Sequence, residues 1–267
     1  MDLDRDRAQR QAVVRHYDHR APTYDDGPLH RALATAVAGL VTEALDAAPD
    51  PHDQRRPVVL DVATGTGLVL RALATPTPTA APTATAARLV GIDLSPGMLR
   101  IATAALPPPA ATFVRADATS LPLADASVDV TTLVTALHLL PSAAAADTAL
   151  AECVRVLRPG GHLVTATFTD PATPPAPAPT PAPAATPTPT APPTAPPTPA
   201  PTPVPARRHD AYATVAQLVA VLTPHGLTLR RHRTWADGEH HLLLCHAVLR
   251  HAVPASGPVR PAPPASQ

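Results

Sequence analysis

One stretch in the first half of the chain, residues 58–73, reads VVLDVATGTGLVLRAL. Its first residues are mostly Val and Leu, the pattern of a parallel strand that is buried on both faces. Asp61 lies at the end of that strand, and Gly65 and Gly67 follow in a turn where glycine can take positive φ and let a ligand approach the backbone. The leucines from Leu68 to Leu73 then suit a helix. The stretch predicts an α/β fold in which free N–H groups at the start of a helix face a ligand.

A second unit of the same kind follows at residues 88–93, RLVGID. It predicts another buried strand, and Asp93 lies at its tip, where an acid is placed to accept hydrogen bonds from both hydroxyls of a ribose. A single Gly-x-Gly turn is also compatible with a plain connection that uses small residues for close packing. Two successive units of this form favour a nucleoside-binding site.

The rest of the chain supplies the other elements of an α/β domain. A polar helix is expected over residues 2–24, and Leu33, Val37, Leu40 and Val41 recur at helical spacing within an amphipathic helix over 31–47. Ser95 and Pro96 suit the N-cap and first position of a helix that runs to Ala105. Further strands are predicted at 111–116, 128–136 and 162–168, further helices at 143–157 and 212–222, and an antiparallel pair of strands at 227–235 and 240–249.

Three segments are predicted to stay outside the core. Prolines at residues 75–87 forbid a regular helix, so this segment is expected to be an exposed connection. Residues 169–206 are rich in Pro, Ala and Thr and carry few large apolar side chains, which favours a disordered insertion over a substrate lid. The tail at 253–267 is also expected to be disordered.

Composition excludes several classes of protein. The chain has no lysine, since all 21 Lys and Arg residues are arginine. A P-loop, a pyridoxal-phosphate Schiff base and the Tyr-x-x-x-Lys pair of short-chain dehydrogenases all need lysine. The formal net charge is zero, so nothing indicates a nucleic-acid partner. No run is apolar enough for a membrane span or a signal peptide, and a cytoplasmic location is expected.

A metal site is not expected. Cys153 and Cys245 lack the spacing of a metal-binding pair and are expected to be buried thiols. His240 and His241 are adjacent on a strand and cannot supply a metal's usual set of ligands.

At this point the motifs resemble a known family. VLDVATGTG followed by VGIDLSPGMLRIA is similar to the class I S-adenosylmethionine-dependent methyltransferases, most of all the ubiquinone/menaquinone-biosynthesis type. RADATSLPLADASVDV, ECVRVLRPGGHLV and the N-terminal HYDHRAPTYD fit the same family, although Ala63 stands where many members have glycine. The resemblance spans nearly the whole chain apart from the Pro-rich segments and the tail. It implies a doubly wound, mostly parallel sheet with a reversed C-terminal hairpin.

The resemblance also implies a cofactor, S-adenosylmethionine, and a set of binding residues. Asp61, Gly65 and Gly67 would line its methionine end and Asp93 would hold its ribose, while Asp117 and the backbone N–H of Ala118 would hold the adenine. Two tyrosines of the N-terminal stretch would face the cofactor or, in a simpler interpretation, anchor a helix end. The full expected set is Tyr17, Tyr24, Asp61, Ala63, Thr64, Gly65, Gly67, Asp93, Leu94, Met98, Asp117, Ala118 and Thr135.

The expected activity is methyl transfer to an oxygen, nitrogen or carbon atom of a small molecule. His138, in the loop after the fourth strand, is a candidate general base or pocket residue. A cofactor-binding protein without catalysis remains an alternative, whereas Leu70 in place of the third fingerprint glycine disfavours a nicotinamide dehydrogenase. The domain prediction is an N-terminal helical cap at 1–48 and a methyltransferase domain at 49–252 that contains the insertion.

Overall fold

The computed structural model describes residues 2–47, 55–75, 87–169 and 209–250. Six α-helices occur in these ranges: α1 (Asp2–Arg20), α2 (Pro28–Ala47), α3 (Leu68–Ala74), α4 (Pro96–Ala105), α5 (Ala143–Val156) and α6 (Val215–Leu222). The seven strands are β1 (Val58–Val62), β2 (Arg88–Asp93), β3 (Ala111–Arg115), β4 (Val128–Val134), β5 (Leu157–Phe168), β6 (Leu227–Ala236) and β7 (His241–Leu249).

The described strands form one sheet in the order β3-β2-β1-β4-β5-β7-β6. The strands β1 to β5 run parallel, and β7 runs antiparallel to both β5 and β6. This arrangement confirms the predicted doubly wound sheet with a reversed C-terminal hairpin. The chain order reverses between β1 and β4, and in open α/β sheets ligands bind outside the carboxyl ends of the strands at such a point.

Helices cover both faces of the sheet. On one face, Val37 of α2 and Leu70 of α3 pack with Val59 of β1. On the other face, Leu150 of α5 and Leu218 of α6 belong to the core cluster that contains Leu60. Because side chains alternate along a strand, Asp61 shares the face of Val59 and points toward α2 and α3.

Several predicted boundaries were wrong for local reasons. The sixth helix begins at Val215 and not at residue 212, because Thr214 and Gln217 form a capping box there. Strand β4 ends at Val134, because Thr135 takes a positive φ of 49°. Strand β5 begins at Leu157 and not at residue 162, with a register shift against β4 between Val128 and Val130.

The predicted connection at 75–87, the insertion at 169–206 and the tail at 253–267 lie outside the described residues, apart from Thr75, Ala87 and Thr169. None of the helices in the described ranges combines the length and the apolar character that a membrane span needs. Cys153 and Cys245 are free and buried, as predicted. Within the same ranges, no three His, Cys, Asp or Glu side chains are grouped so that they could hold a metal ion.

Two histidines form a buried pair between neighbouring strands. His162 of β5 and His246 of β7 are 6 % and 7 % exposed, and their ring nitrogens Nδ1 and Nε2 lie 2.7 Å apart. Burial, together with the positive charges of His246 and Arg230, lowers the pKa of His162 to about 4. The pair is therefore neutral near pH 7.

This pair predicts a loss of stability in acid. The His162 pKa is depressed in the folded state, so its contribution to stability is complete above the unfolded pKa near 6.5 and is lost as the pH falls toward 4. In that window the unfolded chain binds one more proton than the folded chain. The free energy of unfolding therefore falls by at most about 1.4 kcal/mol for each pH unit toward acid. Urea unfolding of wild type and His162→Gln across the window measures this slope, with the exposed His19→Gln as control. Equal slopes in wild type and His162→Gln would contradict the prediction.

Candidate active site

One cavity lies at the carboxyl ends of β1, β2, β3 and β4. Residues of α1 and α2 also line it. All members of the expected cofactor-binding set except Gly67 line this cavity: Tyr17, Tyr24, Asp61, Ala63, Thr64, Gly65, Asp93, Leu94, Met98, Asp117, Ala118 and Thr135. The structure thus brings together residues that are spread from Tyr17 to Thr135 in the sequence.

The turn after β1 has the predicted glycine conformation. Ala63 and Gly65 both take a φ of 57°, and Gly67 takes a φ of 78° as the N-cap of α3. Gly67 does not line the cavity. A Cβ at this position would lie 3.2 Å from the ring of Phe113, so Gly67 is needed for its positive φ and for close packing.

Asp61 fixes this turn from below. Its carboxylate is 2 % exposed and accepts hydrogen bonds from the hydroxyls of Thr64, at 2.7 Å, and Thr132. Burial raises the pKa of Asp61 to about 6, although both hydrogen bonds act in the opposite direction. Because Asp61 is buried and hydrogen-bonded on both sides, it holds Thr64 and the turn in one conformation.

Asp93 joins the turn after β1 to the turn after β2. One carboxylate oxygen accepts the backbone N–H of Gly65 and the other accepts the backbone N–H of Ser95, both at 2.8 Å. Burial is the largest cause that raises the pKa of Asp93. Each carboxylate oxygen has a second lone pair, so Asp93 keeps acceptor capacity toward the cavity that it lines.

Asp117 marks the end of the cavity nearest β3. Its Oδ1 accepts hydrogen bonds from the backbone N–H and the hydroxyl of Thr119, at 2.9 and 2.8 Å. Its Oδ2 lies 3.0 Å from Nε of Arg10, a residue of α1 that also lines the cavity. The sequence analysis did not identify Arg10, because an arginine in a polar helix is normally solvated.

Two further acids of the N-terminal segment, both missed from the sequence, hold it against the cavity loops. Asp18 accepts hydrogen bonds from the hydroxyl of Ser95, at 2.5 Å, and from the backbone N–H of Gly97, at 2.8 Å. Asp25 accepts from the hydroxyl of Thr66 and pairs with Arg71, both at 2.6 Å. We call residues 2–47 the cap; these contacts tie it to the loops after β2 and β1.

The cap contributes an aromatic wall. The rings of Tyr17 and Tyr24 meet edge to face at 6.2 Å, and His30 lies against Tyr24 at 4.2 Å with an interplanar angle of 32°. Arg20 lies over the Tyr24 ring at 5.5 Å. Burial raises the pKa of Tyr24 far above its usual value, so its phenol is neutral at any physiological pH.

His138 lies after β4, as predicted, but its side chain is not part of the cavity lining. It lies in the short helical turn Leu137–Leu139, is 3 % exposed and meets the ring of Phe168 edge to face at 5.5 Å. Its neighbours Leu139 and Leu140 line the cavity, but His138 does not. The prediction of a pocket-lining base at His138 is not supported, because the helical turn directs this side chain into the protein interior.

The sheet order, the Gly-rich turn after β1 and the acids at three successive strand ends are the structural features that carry the resemblance to the class I methyltransferases. Comparisons with known proteins agree with this class. Residues 60–165 match the model of a family described as a methyltransferase domain. The chain is 36 % identical over 162 residues to the demethylmenaquinone methyltransferase of Renibacterium salmoninarum, covering 60 % of each chain.

Other relatives and solved structures extend the comparison. A malonyl-[acyl-carrier protein] O-methyltransferase of Hahella chejuensis is 32 % identical over 167 residues, which cover 62 % of this chain and 53 % of the relative. The structure of an N-methyltransferase from Bradyrhizobium japonicum in complex with S-adenosylhomocysteine superposes with a TM-score of 0.58 and 18 % identity, covering 90 % of this chain and 98 % of that one. At this identity the superposition shows the shared fold alone.

Residues 60–165 therefore carry a methyltransferase domain, and the likeness to a demethylmenaquinone methyltransferase extends over 60 % of the chain. This finding confirms the resemblance that the motifs indicated. The chain spans between about half and 60 % of the length of the two curated relatives named above.

Proposed function

We propose that this protein transfers the methyl group of S-adenosylmethionine to an oxygen, nitrogen or carbon atom of a small-molecule acceptor by in-line displacement. One observation carries the proposal: the acids at the ends of β1, β2 and β3 line one cavity together with the glycine turn after β1. Asp93 bridges two of these loops through backbone N–H groups, so the cavity is preorganised.

The residues fit the parts of this cofactor. We assign the ribose hydroxyls to Asp93, because its carboxylate lines the cavity at the end of β2 and is held there by backbone N–H groups. We assign the adenine to Asp117 and Ala118 at the β3 end of the cavity, and the methionine part to Thr64 and Gly65 above Asp61. The neutral ring of Tyr24 suits the neighbourhood of a cationic sulfur, since aromatic faces attract cations.

S-adenosylmethionine, when bound, supplies a methyl group on a positively charged sulfur, which is already an activated leaving group. The task of this chain is therefore to align the acceptor with the methyl carbon and to exclude water, and alignment supplies up to about 7–11 kcal/mol in favourable cases. The cap performs both tasks in our proposal, because Tyr17, Tyr24 and Leu33 line the cavity opposite the strand ends.

The lining also supports a small acceptor. Its side away from the acids is formed mainly by apolar groups, among them Leu33, Ala34, Leu139, Leu140 and Pro141. The relatives are named for a small-molecule acceptor, demethylmenaquinone, and for a carrier-bound one, malonyl-[acyl-carrier protein]. The division of the chain into an N-terminal helical segment at 1–48, which contains the cap, and a domain at 49–252 is part of the proposal.

Calorimetry tests the cofactor assignment directly. We expect S-adenosylhomocysteine to bind with measurable heat and NAD to give none at the same concentration. The reason is that Leu70 replaces the third glycine of the dinucleotide-binding fingerprint, which allows the helix to pack closely on the strand. Incubation with methyl-labelled S-adenosylmethionine and a cell extract should then yield a labelled small molecule. Binding of NAD without binding of S-adenosylhomocysteine would refute the assignment, and binding without any labelled product would leave a cofactor-binding protein that lacks catalysis.

A further inference from the structure

One face of α1 forms part of the cavity wall. Arg10, Val13 and Tyr17 all line the cavity, and their spacing of i, i+3 and i+7 places them on one side of the helix. Seven residues of α-helix rise by about 10 Å, which is comparable with the long dimension of a nucleoside. This face is therefore long enough to follow the nucleoside part of the cofactor from its base to its ribose.

Two contacts fix the direction of this helix face. Arg10 lies at the β3 end of the cavity, because its Nε is 3.0 Å from Oδ2 of Asp117. Tyr17 lies toward the proposed ribose site, because its ring meets that of Tyr24, whose pKa responds to the charge of Asp93. Arg10 is thus the residue of the cap that lies beside the proposed adenine site.

The contact between Arg10 and Asp117 leaves a donor and an acceptor open side by side. Among the described residues, Asp117 accepts hydrogen bonds only at Oδ1, and both come from Thr119. Nε of Arg10 is shielded from solvent, yet within the same ranges it makes no hydrogen bond, because its N–H is not aligned with Oδ2. A buried N–H without a partner costs free energy, so this group favours a ligand that supplies an acceptor.

A donor next to an acceptor matches one edge of adenine. Adenine presents a hydrogen of its N6 amino group, which is a donor, beside the ring nitrogen N7, which is an acceptor. Oδ2 of Asp117 can accept from the amino group while Nε of Arg10 donates to N7. A purine with an oxygen in place of the amino group would instead bring two acceptors to this edge, and the carboxylate would repel that oxygen.

We infer that Arg10 is a cofactor-binding residue that donates a hydrogen bond from Nε to N7 of the adenine, so that the cap takes part in recognition of the base. This inference rests on the proposed function, in which Asp117 lies at the adenine. The side chains of Arg10 and Asp117 are 34 % and 25 % exposed, so their ion pair by itself contributes little stability and can adjust to a ligand.

The experiment compares S-adenosylhomocysteine with its 7-deaza analogue, in which a C–H group replaces N7 and cannot accept a hydrogen bond. By calorimetry, we expect wild type to bind S-adenosylhomocysteine about five- to fiftyfold more tightly than the analogue. This is below the full range for hydrogen bonds to charged groups, because a third of the Arg10 side chain is exposed. Arg10→Met keeps an unbranched, helix-forming side chain without any N–H, so it should bind both ligands alike.

Controls separate this inference from a purely structural ion pair and from the proposed function. Arg7→Met removes the same charge at an exposed position of α1 and should keep the wild-type preference. Arg10→Leu should repeat the Arg10→Met result, which guards against a fault of the methionine side chain. Equal binding of the two ligands by wild type would overturn the inference. A preference that survives in Arg10→Met and Arg10→Leu, even with both affinities lowered, would also overturn it, since Arg10 would then only hold the cap. Absence of binding of either ligand by wild type would instead refute the proposed function.

Discussion

Asp93→Ala is expected to weaken S-adenosylhomocysteine binding by roughly ten- to a hundredfold. Hydrogen bonds to a charged group contribute about 1.5–3 kcal/mol, and about 1.4 kcal/mol corresponds to a factor of ten in affinity. We expect the upper part of this range, because Asp93 has a second task. Its oxygens accept the backbone N–H groups of Gly65 and Ser95, so the substitution also loosens the two loops that form the cavity.

The measurement must show whether Asp93→Ala weakens binding by removing a contact with the ribose or by loosening the two loops. Calorimetry with S-adenosylhomocysteine and with its 2′,3′-dideoxy analogue makes the distinction, since only the first has hydroxyls for Asp93. Wild type should prefer the hydroxylated ligand, and Asp93→Ala should bind both alike, as in a double-mutant cycle. Asp125→Ala removes an acid that pairs with Arg155 and is 78 % exposed, and should leave both affinities unchanged. A preference that survives in Asp93→Ala would show that Asp93 acts only on the loops.

The sequence predicted the sheet well where burial dictates composition. Strands β1 and β2 are runs of Val, Leu and Ile that are buried on both faces, so their ends could be placed within a residue. The acids Asp61 and Asp93 are recognisable because an acid within or at the end of a buried apolar strand is rare and usually has a special role. The carboxyl ends of parallel strands lie at the same edge of the sheet. The strand prediction alone therefore places both acids at one cavity.

Polar contacts over long sequence separations could not be predicted in the same way. Asp18 and Ser95 are 77 residues apart, and Asp25 and Arg71 are 46 apart. In the sequence, Asp18 lies in a helix with many charges, where most side chains are solvated, and no periodicity marks the one that meets another loop. His30 had a usable signal, since it shares one helix face with Leu33 and Ala34, but a histidine on such a face is also compatible with an ordinary packing role.

Turn chemistry explains the remaining differences. The motif suggested that both glycines of the turn after β1 touch the cofactor, yet Gly65 lines the cavity whereas Gly67 packs on Phe113. Both need positive φ, so the sequence pattern is the same for a binding glycine and a packing glycine. Thr135 also takes positive φ, which ends β4 early, and a threonine gives no indication of this conformation.

The cap is tied to the loops after all four strands that border the cavity. Asp25 contacts the turn after β1, Asp18 the start of α4 after β2, and Arg10 the acid after β3. In addition, Ser142 after β4 donates a hydrogen bond to Asp6 at 3.2 Å. Each of these contacts contributes little net stability by itself, because water can replace either partner. Together they couple the closed position of the cap to the geometry of the cofactor loops.

Gly97→Ala tests this coupling at the tightest contact. A Cβ on Gly97 would lie 2.8 Å from Oδ1 of Asp18 and 3.0 Å from its Cα. The carboxylate can turn away, but the Cα can retreat only if α1 moves, and this breaks the hydrogen bonds from Ser95 and Gly97 to Asp18. Overpacking of this kind costs typically 1–3 kcal/mol, so the open population of the cap should rise roughly five- to a hundredfold.

The chain has no lysine, so trypsin cuts it only after arginine, and α1 contains several arginines.

We therefore expect limited trypsin digestion, followed by mass spectrometry, to release N-terminal peptides from Gly97→Ala about five- to a hundredfold faster than from wild type, since cleavage follows the open population when reclosing is fast. Affinity for S-adenosylhomocysteine should fall with it, because Tyr17 and Tyr24 leave the cavity with the cap. Gly39→Ala is the matched control. Gly39 is an exposed position of α2 with nothing within 4 Å of the added Cβ, so alanine there should leave the cleavage rate of α1 unchanged. Equal digestion of Gly97→Ala and Gly39→Ala would mean that the cap does not depend on the contact between Asp18 and the start of α4.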